Sequence, residues 1–252
     1  MTRNTRRGAA RSTRRDTARS TTTAILRNFA VIEGCDGSGT STQLKLLRRR
    51  FTWRDREREA FMVAEPEPAY GLPPLFATAE PTGGPVGRLI RLILEGGETV
   101  TGETLARLFA ADRAEHLYAP GGLVERCRRG ELAVSDRYTP SSLVYQGLEC
   151  GRELPEELNA SFPLPELLVY LDVDPRTAME RIQNRGETER YEEPDFQAKV
   201  REAYRALLPA WEEAGVRLLS LDGRRPEEEL AAEIWSALEK MPIMQGSEQH
   251  GP

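Results

Sequence analysis

The chain is short of the residues on which several kinds of chemistry depend. It has two histidines, His116 and His250, and three cysteines, Cys35, Cys127 and Cys150, at irregular spacings. A histidine triad or multi-histidine metal centre is excluded on that count, and neither a disulfide framework nor a zinc cluster is suggested. Three unpaired thiols fit a reducing, cytoplasmic setting. No apolar run approaches the roughly 20 residues that a membrane-spanning helix needs, so no membrane partner is expected. Lysine occurs only as Lys45, Lys199 and Lys240; arginine carries nearly all the positive charge.

Acid is almost absent from one end. Residues 1–28 hold eight arginines against Asp16 alone, a local charge of +7 in a chain whose net charge is −5, which leaves −12 on the rest. An acidic body argues against a nucleic-acid-binding domain, whose affinity rests on a basic face. The arm at 1–28 is rich in Arg, Ser and Thr and has too little apolar surface to bury, so it reads as disordered; organelle transit peptides share that composition. Residues 241–252 read as a second tail, and 29–240 as one folded domain.

What is present is concentrated first at Gly34, Cys35, Asp36, Gly37, Ser38, Gly39, Thr40 and Ser41. Residues 29–33 before it are apolar and β-branched, as in a buried parallel strand, and 42–51 carry apolar residues at helical spacing. Strand, glycine turn and helix form the context of a phosphate-binding loop of the G-x-x-x-x-G-K-[ST] type. Its glycines let backbone N–H groups converge on a phosphate, and the helix N-terminus, from Thr40 through Thr42, adds partial positive charge. Ser41 supplies a hydroxyl for Mg²⁺. Thr40 stands where lysine is normal, and a glycine-rich turn without ligand is the plainer alternative for this motif by itself.

Strands and helices alternate beyond it. Further strands are expected at 131–135, 167–171 and 216–221, and helices at 86–94, 104–118, 175–185, 195–214 and 226–240. The second strand is either 60–64 or 75–79, which flank a proline-rich loop at 65–74. Such alternation implies an α/β fold in three layers, a mostly parallel sheet covered by helices on both faces. Ligands in that architecture bind at the carboxyl ends of the strands.

Polar clusters fall at those ends. Asp136 and Arg137 emerge from an apolar strand, giving a carboxylate for a Mg²⁺ shell and a guanidinium for a second phosphate. A turn and helix at 80–91 carries Arg88 and Arg91. Phe109 and Arg113 share a helix face, where an aromatic ring and a guanidinium can stack on a base and bond its edge; taken alone, Phe109 is a core residue. Residues 181–190 hold Arg181, Arg185 and Arg190 around Gly186, and can form a lid that neutralises charge on a triphosphate.

The order and spacing of the phosphate loop, Glu-Pro-Thr-Gly-Gly-Pro-Val-Gly-Arg-Leu-Ile-Arg, Leu-Phe-Ala-Ala-Asp-Arg-Ala-Glu-His, Asp-Arg-Tyr-Thr-Pro-Ser-Ser-Leu-Val-Tyr-Gln-Gly and the arginine-bearing lid resemble thymidylate kinase over about residues 29–240. The resemblance implies a P-loop NTPase fold, transfer of the γ-phosphoryl of ATP to dTMP, Mg²⁺, and a homodimer. It assigns Asp36 to the sugar 3′-hydroxyl, Phe109 to the thymine face, Arg113 to its O4 and Arg137 to the acceptor phosphate. Arg91, Ser141, Ser142 and Gln146 are then part of the dTMP site, and Tyr145 crowds the 2′ position. Gly37 lies where some members carry arginine; that pattern places catalytic arginines in the lid, here Arg185 and Arg190. Ala79 replaces an arginine common before Glu-Pro. With Thr40 in the lysine position, a nucleotide-binding protein of little activity, or a kinase for another deoxynucleoside monophosphate, remain alternatives.

Overall fold

The structure, a computed structural model, describes residues 24–53, 72–183, 190–191 and 193–245. Five strands, β1 (Ile25–Gly34), β2 (Leu75–Ala79), β3 (Leu132–Asp136), β4 (Leu164–Asp172) and β5 (Arg217–Asp222), form one parallel sheet in the order β2-β3-β1-β4-β5. The helices are α1 (Thr40–Trp53), α2 (Pro85–Leu94), α3 (Gly102–Tyr118), α4 (Leu123–Arg128), α5 (Thr139–Cys150), α6 (Glu153–Asn159), α7 (Pro175–Gln183), α8 (Pro194–Glu213), α9 (Glu227–Glu239) and α10 (Pro242–Gln245). This is the three-layer P-loop NTPase arrangement expected from the sequence.

Strand alternation sorts the core into two layers. Ala30 and Ile32 point to the side covered by α1 and α9, against Leu44, Leu47, Ile234 and Trp235. Phe29 and Val31 point to the opposite side, beneath α3 and α4, with Leu117, Leu123 and Tyr138. Farther along that side, Leu168 and Tyr170 of β4 pack under α5 and α8 with Val144, Tyr204 and Trp211. Because β1 is central and its register sets Ile32 beside Asp136 and Gly34 beside Leu171, the loop after β1 opens between the ends of β3 and β4. That crevice is where the functional groups gather.

Several boundaries differ from the sequence expectation. The second strand is β2 at Leu75–Ala79, while 60–64 lie outside the described residues. The arm expected through residue 28 ends sooner, since β1 begins at Ile25. Its pairing shifts between Leu26 and Ala30, and Asn28 takes φ 65° with its N–H bonded to Glu166 Oε2 (2.9 Å) and its amide to the Cys127 carbonyl (2.9 Å). Polar Arg27 and Asn28 hid that bulged strand start from a reading by hydrophobic pattern. At the other end, Met241 is wholly buried in the core below α9, so the tail expected from 241 starts at least one turn late.

Candidate active site

The phosphate loop is built by close packing as much as by chain flexibility. A Cβ at Gly34 would lie 2.4 Å from Ser38 Oγ and 2.9 Å from the Leu171 carbonyl, so only glycine lets the loop fold back on β4. Gly37 has φ 77°, and a Cβ there would lie 2.4 Å from the Ala178 carbonyl of α7. Gly39, with φ 102°, faces open space. Cys35 is buried and its Sγ contacts the Val173 carbonyl (3.8 Å); burial, with Asp36 beside it, pushes its thiol up to about 12, so it packs as a neutral group. Ser38 and Thr40 are buried at the loop base, Thr42 is half-buried on α1, and Ser41 is exposed. Arg181 of α7, which sequence reasoning placed only in the lid, braces the outside of the loop. It donates to the carbonyls of Gly37 (3.4 Å), Ser38 (3.4 Å) and Gly223 (2.9 Å).

Ser41 Oγ donates to Asp136 Oδ2, joining the two residues expected to serve Mg²⁺. Asp136 Oδ1 is buried and has no hydrogen-bond partner among the described residues. An exposed hydroxyl beside a carboxylate with one uncommitted oxygen is a hard-oxygen donor set, and it fits a magnesium ion that takes its remaining ligands from phosphate and water. No cluster of three or more His, Cys, Asp or Glu residues suited to a metal occurs among the described residues.

Beside the loop lies a concave cavity that is open to solvent. Asp36, Phe109, Arg113, Arg137, Ser141, Tyr145, Gln146 and Tyr191 are among its walls. Phe109 and Arg113 reach it from one face of α3. Arg113 is only 1% exposed. Its Nε and Nη2 meet Glu80 Oε2 (2.8 Å each), Nη2 also donates to Ser142 Oγ (3.0 Å), and Nη1 donates to Asn159 Oδ1. Three of these contacts are hydrogen bonds and the approach of Nη2 to Glu80 is an ion pair, which fixes the guanidinium and leaves N–H capacity for a ligand. Gln146 Oε1, buried in α5, has no partner among the described residues. The structural alternative, that Arg113 is only a buried ion-pair partner of Glu80, accounts for its burial but not for its place in the cavity wall.

Arg137 is the hub between cavity and loop. It has φ 74°, its N–H bonds the Ile32 carbonyl (3.0 Å), and its guanidinium donates to Asp36 Oδ1 (2.6 Å) and the Gly34 carbonyl (2.5 Å). The same group lies near the hydroxyls of Ser141 (3.3 Å), Tyr145 (3.4 Å) and Tyr204 (3.5 Å). Burial opposes its charge, but the oxygens of Tyr145 and Tyr204 and the Asp36 carboxylate outweigh that and hold it firmly protonated. Burial likewise raises the Tyr145 hydroxyl well above its ordinary value, so it stays neutral.

Three residues of this network were not found from sequence. Glu33, fully buried at the end of β1, accepts from Tyr138 N (2.8 Å), Ser141 Oγ (2.7 Å) and Tyr204 Oη (2.8 Å). Burial raises its carboxyl to about 7 against the pull of Arg137 and those donors. Gln197 of α8 clamps Asp36, donating to Oδ2 (2.9 Å) and accepting its backbone N–H (3.2 Å). Tyr204 comes from the same helix. The only sequence signal for Glu33 was a charge inside an apolar strand; Gln197 and Tyr204 sit 161 and 171 residues away from the side chains they bond and gave none.

Two expected residues are not themselves in the cavity wall, and one is not described. Arg91 lies exposed on α2, donates to the Pro81 carbonyl and is not in the cavity wall. Arg190 pairs with Glu149 and faces the Val100 carbonyl (3.4 Å). Arg185 lies outside the described residues. Residue 79 contributes only the methyl of Ala79 at the end of β2.

Comparison with known proteins accords with this geometry. The family model described as thymidylate kinase matches residues 62–234. A protein of Treponema pallidum curated under a thymidylate kinase name is 42% identical over 185 residues, covering 73% of this chain and 80% of that protein. One of Pyrobaculum aerophilum with such a name is 37% identical over 214 residues, covering 84% and 97%. Another, of Aeropyrum pernix, is 38% identical over 195 residues, covering 77% and 85%.

Proposed function

The chain belongs to the thymidylate kinase family, and we propose that it transfers the γ-phosphoryl group of ATP to dTMP, giving dTDP and ADP. The observation that carries this reading is the pairing, in one cavity wall, of a spare Arg113 N–H with the unpartnered Gln146 Oε1. One donor and one acceptor suit the 4-oxo, 3-NH edge of thymine or uracil and mismatch the amino and bare nitrogen of cytosine. Phe109 offers a face for the ring, and Tyr145 crowds the sugar so that deoxyribose is preferred. Asp36, held by Gln197 and Arg137, bonds the 3′-hydroxyl.

The acceptor phosphate takes its place against Arg137, which Asp36, Gly34 and the turn at φ 74° hold beside the phosphate loop. A phosphate oxygen of dTMP then forms its bond to the γ-phosphorus as the bond to the β,γ-bridging oxygen breaks, and that electron pair leaves with ADP. No covalent intermediate is required, because positioning and fixed positive charge supply the rate. Magnesium, held through Ser41 and Asp136, would offset charge on the triphosphate. The lid contributes transition-state charge through Arg185. The protein works in the cytoplasm, consistent with its free thiols, and as a homodimer, for which Leu89 and Leu92 offer an exposed apolar stripe on α2.

A panel of dTMP, dUMP, dCMP, dGMP and UMP with ATP and Mg²⁺ tests the proposal. dTMP should be the best acceptor and dCMP a poor one; equal use of all five would sink the base-site assignment. One observation favours a second reading, a nucleotide-binding protein of little activity: the neutral Thr40 in the lysine position. Absence of turnover above background in the same panel, with dTMP still bound, would establish that instead. A kinase whose best acceptor is another deoxynucleotide would be exposed by the same ranking.

A further inference from the structure

Glu149, near the C-terminal end of α5, is assigned nothing by the motifs or by the phosphotransfer, yet its carboxylate holds two consecutive residues at once. One oxygen takes the guanidinium of Arg190, and the other accepts the Tyr191 hydroxyl at 2.7 Å. The same two residues are tied down from the other side of the cavity mouth: Arg190 N donates to the Leu94 carbonyl at the end of α2 (3.0 Å), and its guanidinium to the Val100 carbonyl (3.4 Å). Room for Glu149 comes from Gly102, where a Cβ would lie 2.7 Å from the Glu149 Cγ and 3.2 Å from its Oε2. Tyr191, so anchored, forms a wall of the acceptor cavity, stacked on Phe196 (5.2 Å, 12° between planes) and 5.3 Å from Tyr145. The pair is partly shielded, with Arg190 27% and Glu149 18% exposed in their side chains. A bidentate carboxylate in that setting can fix an aromatic wall far better than a fully exposed pair could.

We infer that Glu149 is a positioning residue for the acceptor nucleotide, fixing Tyr191 over the cavity through Oε2 and locking the backbone beside it through Arg190. Arg190 therefore serves the acceptor side, and its guanidinium is not directed at the ATP phosphates. The inference rests on the proposed acceptor site, and the experiment separates the two.

Steady-state constants for Glu149→Ala, Glu149→Gln, Tyr191→Phe and the double variant Glu149→Ala/Tyr191→Phe, with thermal unfolding as a check on folding, test it. KM for dTMP should rise about tenfold in Glu149→Ala and less in Glu149→Gln, whose amide oxygen keeps one bond, while KM for ATP stays within about twofold. A merely structural role would lower Tm and active fraction without separating the two KM values. The double variant should be close to Glu149→Ala, because Tyr191 Oη has already lost its short bond to the carboxylate and keeps only the long contact from Gln146 Nε2 (3.5 Å). Unchanged KM for dTMP, equal rises in both KM values, or multiplicative effects in the double variant would overturn the inference; should Glu149→Ala not fold, Glu149→Gln decides by the same KM comparison. Calorimetric titration of the wild type with dTMP reads the parent proposal separately: a wild type that binds dTMP with unaltered variants sinks this inference alone, and one that does not bind sinks both.

Discussion

Thr40, in the position where lysine is normal, makes the first residue-scale prediction. A charge-assisted hydrogen bond to phosphate is worth about 1.5–3 kcal/mol, and its loss in the transition state alone corresponds to roughly 10- to 150-fold in rate. Thr40 is buried at the start of α1, while Lys45 lies exposed about one turn farther on. Thr40→Lys is expected to raise kcat by about tenfold or more with KM for dTMP unaltered, measured by coupled ADP release; a flat or lower kcat would mean that the loop geometry has adapted to threonine. Tyr145 makes a second residue-scale prediction. Tyr145→Ala should cut the preference for dUMP over UMP by at least about tenfold, since the ring no longer fills the space beside the sugar; a preserved ratio would remove Tyr145 from sugar selection. Glu33 makes the third. Its carboxyl is raised from 4.5 to about 7 by burial, so the neutral form is favoured in the folded protein. Its contribution to stability is therefore complete below about pH 4.5 and lost as pH rises through 7, a swing of about 3 kcal/mol. Glu33→Gln, which cannot ionise, should lose less stability than the wild type between pH 5 and 8 in paired thermal unfolding curves; parallel curves would count against the buried, raised carboxyl.

At the scale of elements, the site depends on helices pressed against a loop. Gly37 touches the backbone of α7 so closely that a methyl there would sit 2.4 Å from the Ala178 carbonyl, in a left-handed conformation that disfavours any side chain. Gly37→Ala should cost about 2 kcal/mol or more in chemical unfolding and raise KM for ATP, because α7, with Arg181 gripping Gly37, Ser38 and Gly223, must shift with the loop. An unchanged midpoint would show that α7 is free to yield. The same scale explains which elements could be read in advance. α3 and α8 are long and periodic, and their bounds were legible to within two residues. α4 and α6, at six and seven residues, span under two turns each and were not foreseen. α5 was visible only as a string of motif residues, although Pro140 at its start marks a helix N-terminus.

For the whole molecule, the acidic body leaves small anionic nucleotides to be bound by local arginines, not by a general field. Leu89 and Leu92, 42% and 44% exposed, stand three apart on α2. Sedimentation should return twice the chain mass for the wild type and a monomer for Leu89→Glu/Leu92→Glu; a wild-type monomer would remove the dimer from the proposal. The sequence by itself determined the alternation of strands and helices, the phosphate loop and the order of the motif blocks, because those signals are local: period, glycine and strand-to-helix transitions lie within a few residues of one another. It also carried Phe109, Arg113 and Arg137 through local spacing, and Tyr145 through the family resemblance alone. Only the tertiary structure decided that Glu33, Gln197 and Tyr204 brace Arg137 and Asp36, that Arg91 donates to the carbonyl of Pro81 in the cavity wall, and that Arg190 is held by Glu149. Those outcomes depend on which helix packs over which strand, and on the buried polar groups that must then find partners across more than 100 residues of chain.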